Sequence, residues 1–282
     1  MDEVLLVEEE KKFVPEFRAF RDYVNNHCQF WEKREEIAIK LLYLLGSRAS
    51  EILTHVSPKQ KELGMTKAYG TLLRWEFVNH KMRNGEQAKI LLVHSAIAKS
   101  RKTQKPEMFQ EGVNTAIGTR EPERFVCPMR EIPIIISPQT IEPWGMDIVF
   151  WIRDKSKEVE EQDDRTKAMK EALRFPVTEM TLQNWVWNNL KGLAPDVPPQ
   201  HFSRFNRMRK PIHPHSLRAW RITHLKDVYG FSPIEQCAFV RWSVRSQEAK
   251  RGITVSSNID IYSQLSWKDY VDKLLKPLAE IL

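Results

Sequence analysis

Apolar residues recur at helical spacing along residues 33–56, which predicts a helix with one face buried. Gly46 interrupts the run, and Ser47 behind it is a suitable helix cap. We therefore expect two helices that meet at a bend, with Arg48 in the first turn of the second helix. The apolar positions of the first helix are Ile37, Leu41, Leu44 and Leu45.

Two other segments, "AKILLVHSAIA" (88–98) and "REIPIIIS" (130–137), are apolar and β-branched, as buried strands are. The polar, basic segment between them is too long for a tight turn, so we predict a small antiparallel sheet with a long basic loop. Residues 154–174 are predicted to form a solvated helix or a mobile insertion. Further helices are predicted at 13–30, at 178–193 with Met180, Leu182 and Trp185 available for burial, at 232–242 with a Ser232–Glu235 capping box, and at 266–282. The fold class expected is mainly α with a small antiparallel β-sheet (α+β).

Charge is distributed unevenly along the 282 residues, whose 44 Lys and Arg against 37 Asp and Glu give a net charge of +7. Residues 201–226 contain no acidic side chain, which favours a polyanionic partner. Cys28, Cys127 and Cys237 are isolated, which argues against a disulfide framework and against a zinc site. No apolar run approaches the roughly 20 residues of a membrane span, so we expect a cytoplasmic protein that does not enter a membrane.

The basic stretch includes "HPHSLRAWRITHL" (213–225), in which His215 and Arg218 lie three positions apart and share one face of a predicted helix. An Arg fork and an imidazole are suited to gripping an oxyanion. Arg221 and His224 continue a neighbouring stripe. The alternative is structural, since histidines on helices commonly pack or cap. A metal site is disfavoured because no Cys or carboxylate lies nearby in sequence and the cations would repel a metal ion.

Four segments of the chain occur in a fixed order: "LLYLLGSRASEIL" (41–53), "HSLRAWRITHL" (215–225), "FVRW" (239–242) and "IYSQLSWKDY" (261–270). Together they resemble the catalytic domain of tyrosine recombinases, in the form found in archaeal and archaeal-virus integrases. The resemblance covers the chain from about residue 31 to its end. It implies phosphate-binding or catalytic roles for Arg48, His215, Arg218 and Trp242, a nucleophilic role for Tyr262, and a supporting role for Glu51, which would orient Arg48 through a salt bridge.

The family also uses a lysine in the hairpin before a strand like "REIPI" (130–134). Lys99 is the preferred match as general acid, and Lys102 and Lys105 are alternatives. Ala219 stands where many relatives carry a second histidine, and the gap between Trp242 and Tyr262 is about twice the usual one.

Several neighbouring residues have structural interpretations instead. Tyr270 is a rival nucleophile that we expect to be packed in the C-terminal helix, and Tyr229 is expected to be structural. His213, Arg221 and His224 are expected to position backbone or to pack. The segment after the tyrosine could pack on a neighbouring subunit or fold back on its own domain.

The resemblance implies a site-specific DNA recombinase or integrase that cuts and rejoins DNA through a 3′-phosphotyrosine intermediate, without metal or ATP. It implies double-stranded DNA as partner and a homotetramer on synapsed DNA, with a monomer as the free form. The alternatives are an enzyme that relaxes supercoiled DNA, as type IB topoisomerases do, or a non-catalytic DNA-binding protein with the same fold.

The expected domain division is 1–30 as a helical extension or remnant linker and 31–282 as catalytic domain, with insertions near 99–128, 154–175 and 243–258. Contacts to DNA are expected from Lys102, Lys105, Arg204, Arg207, Arg209 and Lys210.

Overall fold

The structure is a computed structural model that describes residues 13–54, 72–82, 85–95, 131–137, 140–194, 200–202, 207–209, 211–240 and 267–275. Most of these residues are helical, and a small antiparallel sheet accompanies the helices, which confirms the expected α+β class. In chain order the elements are α1 (Phe17–Asn26), α2 (Lys33–Leu45), α3 (Ala49–Ile52), β1 (Leu72–Lys81), β2 (Gln87–Ser95), β3 (Glu131–Ile135), α4 (Trp144–Lys157), α5 (Gln162–Glu171), α6 (Glu179–Leu190), β4 (Gln200–Phe202), β5 (Arg207–Arg209), α7 (Pro214–Asp227), α8 (Pro233–Phe239) and α9 (Trp267–Leu274).

Helix α2 lies at the centre of the core because its surface is apolar on almost every side. Its predicted core positions are all buried, and the helix contacts α4, α6 and α7. A helix surrounded in this way fixes its neighbours relative to one another. Helix α2 is therefore the framework on which the segments with candidate site residues are mounted.

The end of α2 confirms the predicted bend at Gly46. This residue has a φ of 54°, in the left-handed region that favours glycine. Its N–H donates to the carbonyl oxygen of Tyr43 at 2.9 Å. A Cβ on Gly46 would lie 3.0 Å from Cγ1 of Val240, so close packing of this turn against the end of α8 also favours glycine.

The cap of α3 differs from the prediction. Arg48, not Ser47, is the N-cap residue, with extended backbone at φ −81° and ψ 153°. The N–H of Ser47 is still engaged with α2, donating to Leu42 at 3.1 Å, so the helix that follows can begin only at Ala49. Arg48 consequently precedes the first turn of α3 rather than lying within it.

The three-stranded sheet has the order β1-β2-β3, and both pairings are antiparallel. Strands β2 and β3 are the two predicted ones, and Leu91 of β2 faces Ile134 of β3 and Phe77 of β1 in the register. Strand β1 was not predicted, because it lacks the continuous apolar, β-branched run of β2 and β3. Its Phe77 side chain is half-exposed. A short parallel bridge joins Leu53 to Phe175.

The remaining helices pack around this framework. The Phe20 ring of α1 contacts those of Tyr43, Trp144 and Trp220, so α1 belongs to the same core. Helix α5 is mostly exposed, as expected for a solvated helix. The rest of the predicted segment 154–174 differs, because residues 154–157 form the end of α4 and Ala172 and Leu173 are buried in the core. The expectation for Met180 was wrong: it is 67% exposed because it lies in the first turn of α6, on the side away from the buried Leu182. Within the described residues, no helix combines the length and apolarity that crossing a membrane requires.

Candidate functional site

Helix α7 begins with a capping box that combines two side chains of the basic stretch. The Nδ1 atom of His213 accepts a hydrogen bond from the Ser216 backbone N–H at 3.2 Å, and the Ser216 Oγ accepts from the His213 N–H at 3.2 Å. Pro214 occupies the first helical turn, where its missing N–H costs nothing. The sequence "HPHS" therefore sets the start and direction of α7, and with them the position of His215.

A cleft of about 300 Å³ lies where the starts of α6 and α7 approach the Arg48 turn. Arg48 and His215, far apart in the sequence, both line it, so the structure brings these two predicted residues together. The rings of His213 and His215 stand side by side, 6.3 Å between centroids. Among the residues that the structure describes, the lining consists of Arg48, Ala49, Ser50, Glu179, Gln183, His213, Pro214 and His215.

The composition of this lining suits an anion. A guanidinium and two imidazoles supply cationic or donor groups, and the N-termini of α6 and α7 carry the positive end of the helix dipole. Glu179 is the exception, since its carboxylate would repel an anion placed next to it. A ligand of this cleft is therefore expected to present its negative charge to Arg48 and the imidazoles, away from Glu179.

Arg218 lies one turn along α7 from His215 but does not line the cleft. Its side chain has no exposed surface, and its two terminal nitrogens donate to the carbonyl oxygens of Gly46 and Val240. Gly46 is two residues before Arg48, and Val240 is two residues before Trp242. Arg218 thus links the motif segment that contains Arg48 to the one that contains Trp242, which gives it a positioning role in this structure.

Glu51 is fully buried in α3. Its backbone N–H donates to the Arg48 carbonyl at 2.9 Å, which closes the single turn that carries both residues. The side chain of Glu51 is therefore part of the packed base beneath the Arg48 turn rather than of the cleft surface.

The other end of α7 carries Arg221 and His224, and both are buried as expected for packing residues. Arg221 forms an ion pair with Glu142, and its guanidinium also lies over the rings of Tyr43 and Tyr229. Burial alone would lower the pKa of Arg221, but the Glu142 carboxylate outweighs that effect and raises it.

His224 lies between two fixed partners. Its Nδ1 atom is 2.8 Å from the Tyr43 hydroxyl, and its Nε2 atom is 2.9 Å from the Pro15 carbonyl oxygen. A carbonyl can only accept, so Nε2 carries the proton and Nδ1 accepts from the Tyr43 O–H. Burial lowers the pKa of His224, and the nearby Arg221 cation lowers it further.

Tyr270 is packed in α9, as expected. Its side chain is fully buried against Phe231 and Phe239, and burial raises the pKa of its hydroxyl. The neighbouring Lys273 donates to both carboxylate oxygens of Glu235, at 2.7 and 2.8 Å. Helix α9 therefore folds back onto α8 of the same chain. Tyr229 is likewise buried, as predicted.

Other predicted residues lie outside the described part of the chain: Lys99, Lys102, Lys105, Arg204, Lys210, Trp242 and Tyr262. Arg207 and Arg209 belong to β5, which pairs with β4 in a two-stranded ribbon.

Sequence reasoning missed two residues of the cleft, Glu179 and Gln183. They lie four positions apart on α6, so they occupy one face of that helix. The Thr178 side chain accepts from the Thr181 N–H at 3.1 Å, and this cap was the available signal for the start of the helix. No signal in the sequence, however, shows that the start of α6 meets that of α7.

Among the described residues, no group of three or more His, Cys, Asp or Glu side chains is arranged to hold a metal ion. Comparison with protein-family models, with curated proteins and with solved structures gave no match. The cleft and the motif residues around it are therefore the features of this chain that bear on its function.

Proposed function

We propose that the chain is a site-specific DNA recombinase or integrase, which breaks and rejoins DNA through a covalent link to Tyr262. The observation that carries the proposal is the cleft in which Arg48 and His215 meet. These residues come from the two motif segments in which tyrosine recombinases carry phosphate-binding donors. Their convergence on one polar cleft is what phosphodiester binding requires.

The packing around Arg218 supports the same proposal. Its guanidinium links the turn before Arg48 to the end of α8, which leads to Trp242. Helix α9, in the segment after Tyr262, packs on α8 through Tyr270 and Lys273. Parts of all four motif segments are thus gathered in one region of the fold.

In the proposed reaction the Tyr262 oxygen attacks the phosphorus of a DNA phosphodiester. A bond forms between this oxygen and phosphorus, and the bond from phosphorus to the 5′ oxygen of the next nucleotide breaks. The products are a 3′-phosphotyrosine and a free 5′-hydroxyl. Rejoining is the reverse attack by a 5′-hydroxyl, so the phosphotyrosine conserves the bond and the cycle consumes no ATP.

The donors of the site would lower the barrier by binding the charge that develops on the non-bridging oxygens. Arg48 and His215 line the cleft and are placed for direct contact, and Trp242 would add its indole N–H. Arg218 would contribute positive charge from beneath while it positions the Arg48 turn. Glu51 would hold the base of that turn.

Two proton transfers accompany the reaction. His215 would take the tyrosine proton, because an imidazole can exchange a proton near neutral pH. Lys99 would protonate the departing 5′ oxygen, with Lys102 and Lys105 as alternatives.

Affinity for duplex DNA would come from the excess of positive charge. Lys102, Lys105, Arg204, Arg207, Arg209 and Lys210 are proposed to contact the phosphate backbone around the cleft. Such contacts are sequence-independent and weaken steeply with salt. Recombination of two duplexes would need four copies of the chain on synapsed DNA.

Covalent trapping tests this proposal. The protein is incubated with a pool of short duplexes of randomised sequence that carry nicks in one strand, so that the 5′-hydroxyl fragment diffuses away after cleavage. We expect a denaturation-resistant adduct through a DNA 3′ end, and peptide mapping should place the link at Tyr262. Tyr262→Phe should abolish the adduct, and Tyr270→Phe should keep it.

The outcomes separate the candidate functions. Absence of an adduct with the wild-type protein, together with retained DNA binding, would favour a non-catalytic DNA-binding protein. An adduct accompanied by relaxation of supercoiled DNA, without strand exchange between duplexes, would favour the topoisomerase alternative. An adduct mapped to Tyr270 would refute the assignment of the nucleophile.

A further inference from the structure

His213 combines a structural contact with a position on the cleft. It is the N-cap residue of α7, and its Nδ1 atom accepts the hydrogen bond from the Ser216 N–H. It is half-buried and lines the same cleft as Arg48, and its ring lies beside that of His215. Sequence reasoning assigned it to packing or backbone positioning alone.

The cap fixes the protonation pattern of this ring. A backbone N–H can only donate, so Nδ1 of His213 must present a lone pair. A neutral imidazole with a lone pair on Nδ1 carries its proton on Nε2. The cap therefore selects the tautomer in which Nε2 is a hydrogen-bond donor.

The same contact makes His213 unsuitable for moving protons. A second proton would have to go on Nδ1, where it would oppose the Ser216 N–H and break the cap at the start of α7. His215 follows Pro214 inside the helix rather than at the N-cap position, and it is exposed. The two imidazoles are thus suited to different tasks: His213 to constant donation and His215 to proton transfer.

We propose that His213 is an oxyanion-binding residue of the cleft, which donates its Nε2–H to a non-bridging phosphate oxygen alongside Arg48. The identity of the anion as a DNA phosphodiester rests on the proposed function. The donor role itself follows from the cap and the cleft. Because the cap and the donor share one ring, binding of the phosphate also stabilises the first turn of α7, which carries His215.

Substitutions can separate the cap from the donor. In His213→Thr, the hydroxyl is a good N-cap acceptor but is too short to replace Nε2 in the cleft. In His213→Ala both contacts are lost. Inorganic phosphate is the probe, and the protein used is the full chain carrying Tyr262→Phe, so that no covalent chemistry interferes.

The test measures phosphate affinity, melting temperature and the ring-nitrogen NMR shifts of His213. We expect His213→Thr to keep the wild-type melting temperature and to bind phosphate about tenfold more weakly, as loss of a charge-assisted hydrogen bond predicts. His213→Ala should lose both affinity and stability. The Nε2 resonance should show a protonated nitrogen that shifts on addition of phosphate, whereas Nδ1 should keep the signature of an acceptor.

The inference is overturned if His213→Thr binds phosphate as tightly as the parent, if Nε2 is unprotonated, or if the parent binds no phosphate. Its failure is distinct from that of the proposed function. Phosphate binding that depends on His213, in a protein whose wild-type form gives no DNA adduct, would retain the inference and refute the recombinase. An adduct at Tyr262 with phosphate binding independent of His213 would do the opposite.

Discussion

The two ends of helix α7 both carry basic or imidazole side chains, but in opposite environments. The first turns present His213 and His215 to an open cleft. The last turns bury Arg221 and His224, each with partners supplied by other segments. One cationic sequence therefore contains both a candidate binding surface and a part of the core.

The difference is decided by the segment that packs on each end. Glu142, distant in the sequence, neutralises Arg221, and the Pro15 carbonyl accepts from His224. The absence of acidic residues from 201–226 consequently does not indicate which of its cationic side chains can bind an anionic ligand. Burial requires each charge to be paired, and the partner can come from any part of the chain.

The largest effect is expected from breaking the buried ion pair. Glu142→Gln removes the carboxylate and leaves the Arg221 guanidinium buried without its counter-charge. We expect the free energy of unfolding to fall by about 3–5 kcal/mol. Denaturant unfolding at neutral pH measures this change.

A double variant provides the control. Replacing the pair with apolar side chains, in Arg221→Met with Glu142→Leu, should recover much of the lost stability, because no buried charge is left unpaired. If Glu142→Gln were as stable as the wild type, the contrast between the two ends of α7 would not hold.

The cleft end is tested by Arg48→Ala. Here we expect weaker binding of inorganic phosphate, by about 1.5–3 kcal/mol, since a charge-assisted contact is lost. Arg48→Lys should recover part of the affinity, because a lysine keeps the charge but not the planar fork. Equal phosphate affinity in Arg48→Ala and the wild type would remove Arg48 from the site.

The pH dependence of stability tests the buried histidine. Its folded-state pKa is lowered by burial and by Arg221, against the opposing influence of Glu142 and Asp227. The unfolded chain therefore takes up a proton first as the pH falls below about 6.5, and the folded state loses stability there. His224 should contribute a slope of at most about 1.4 kcal/mol per pH unit, and the stability should be fully present above this range.

His224→Gln serves as the matched variant, because its amide can donate to Pro15 and accept from Tyr43 without titrating. Chemical unfolding at a series of pH values from 5 to 8 should give a smaller slope for this variant than for the wild type. An unchanged slope would show that another group dominates the titration.

Several elements were predictable because their sequence signals are local, although the cap expected at Ser47 from such a signal was wrong. The run ending at Gly46, the β-branched segments of β2 and β3, and the Ser232–Glu235 capping box all depend on neighbouring residues, and each was found. Strand β1 was missed because its residues lie at a half-exposed edge. Glu179 and Gln183 were missed because only tertiary packing brings α6 to the cleft.

Two buried tyrosines give a smaller and opposite pair of effects. The Tyr43 hydroxyl bonds to His224, so Tyr43→Phe should cost about 1–3 kcal/mol by leaving Nδ1 without a donor. The Tyr270 hydroxyl is buried and has no hydrogen-bond partner among the described residues. Tyr270→Phe should therefore be neutral or stabilising by about 1 kcal/mol, as thermal unfolding can show. A strongly destabilised Tyr270→Phe variant would show instead that the Tyr270 hydroxyl stabilises the fold.

The smallest effect concerns the carboxylate at the cleft. Glu179 is exposed, and among the described residues it makes no hydrogen bond or ion pair, so Glu179→Gln should leave stability unchanged. Removing its negative charge should strengthen phosphate binding about two- to threefold at low salt, and added salt should erase the gain by screening. Glu160→Gln, an exposed change outside the cleft lining, is the control and should alter neither stability nor phosphate binding.

The same substitution, Glu to Gln, would then have opposite effects at two sites. At Glu142 it would destabilise the fold, because that carboxylate neutralises a buried cation. At Glu179 it would improve phosphate binding, because that carboxylate repels an incoming anion. Weaker phosphate binding in Glu179→Gln would instead show that this carboxylate orients a cation of the cleft.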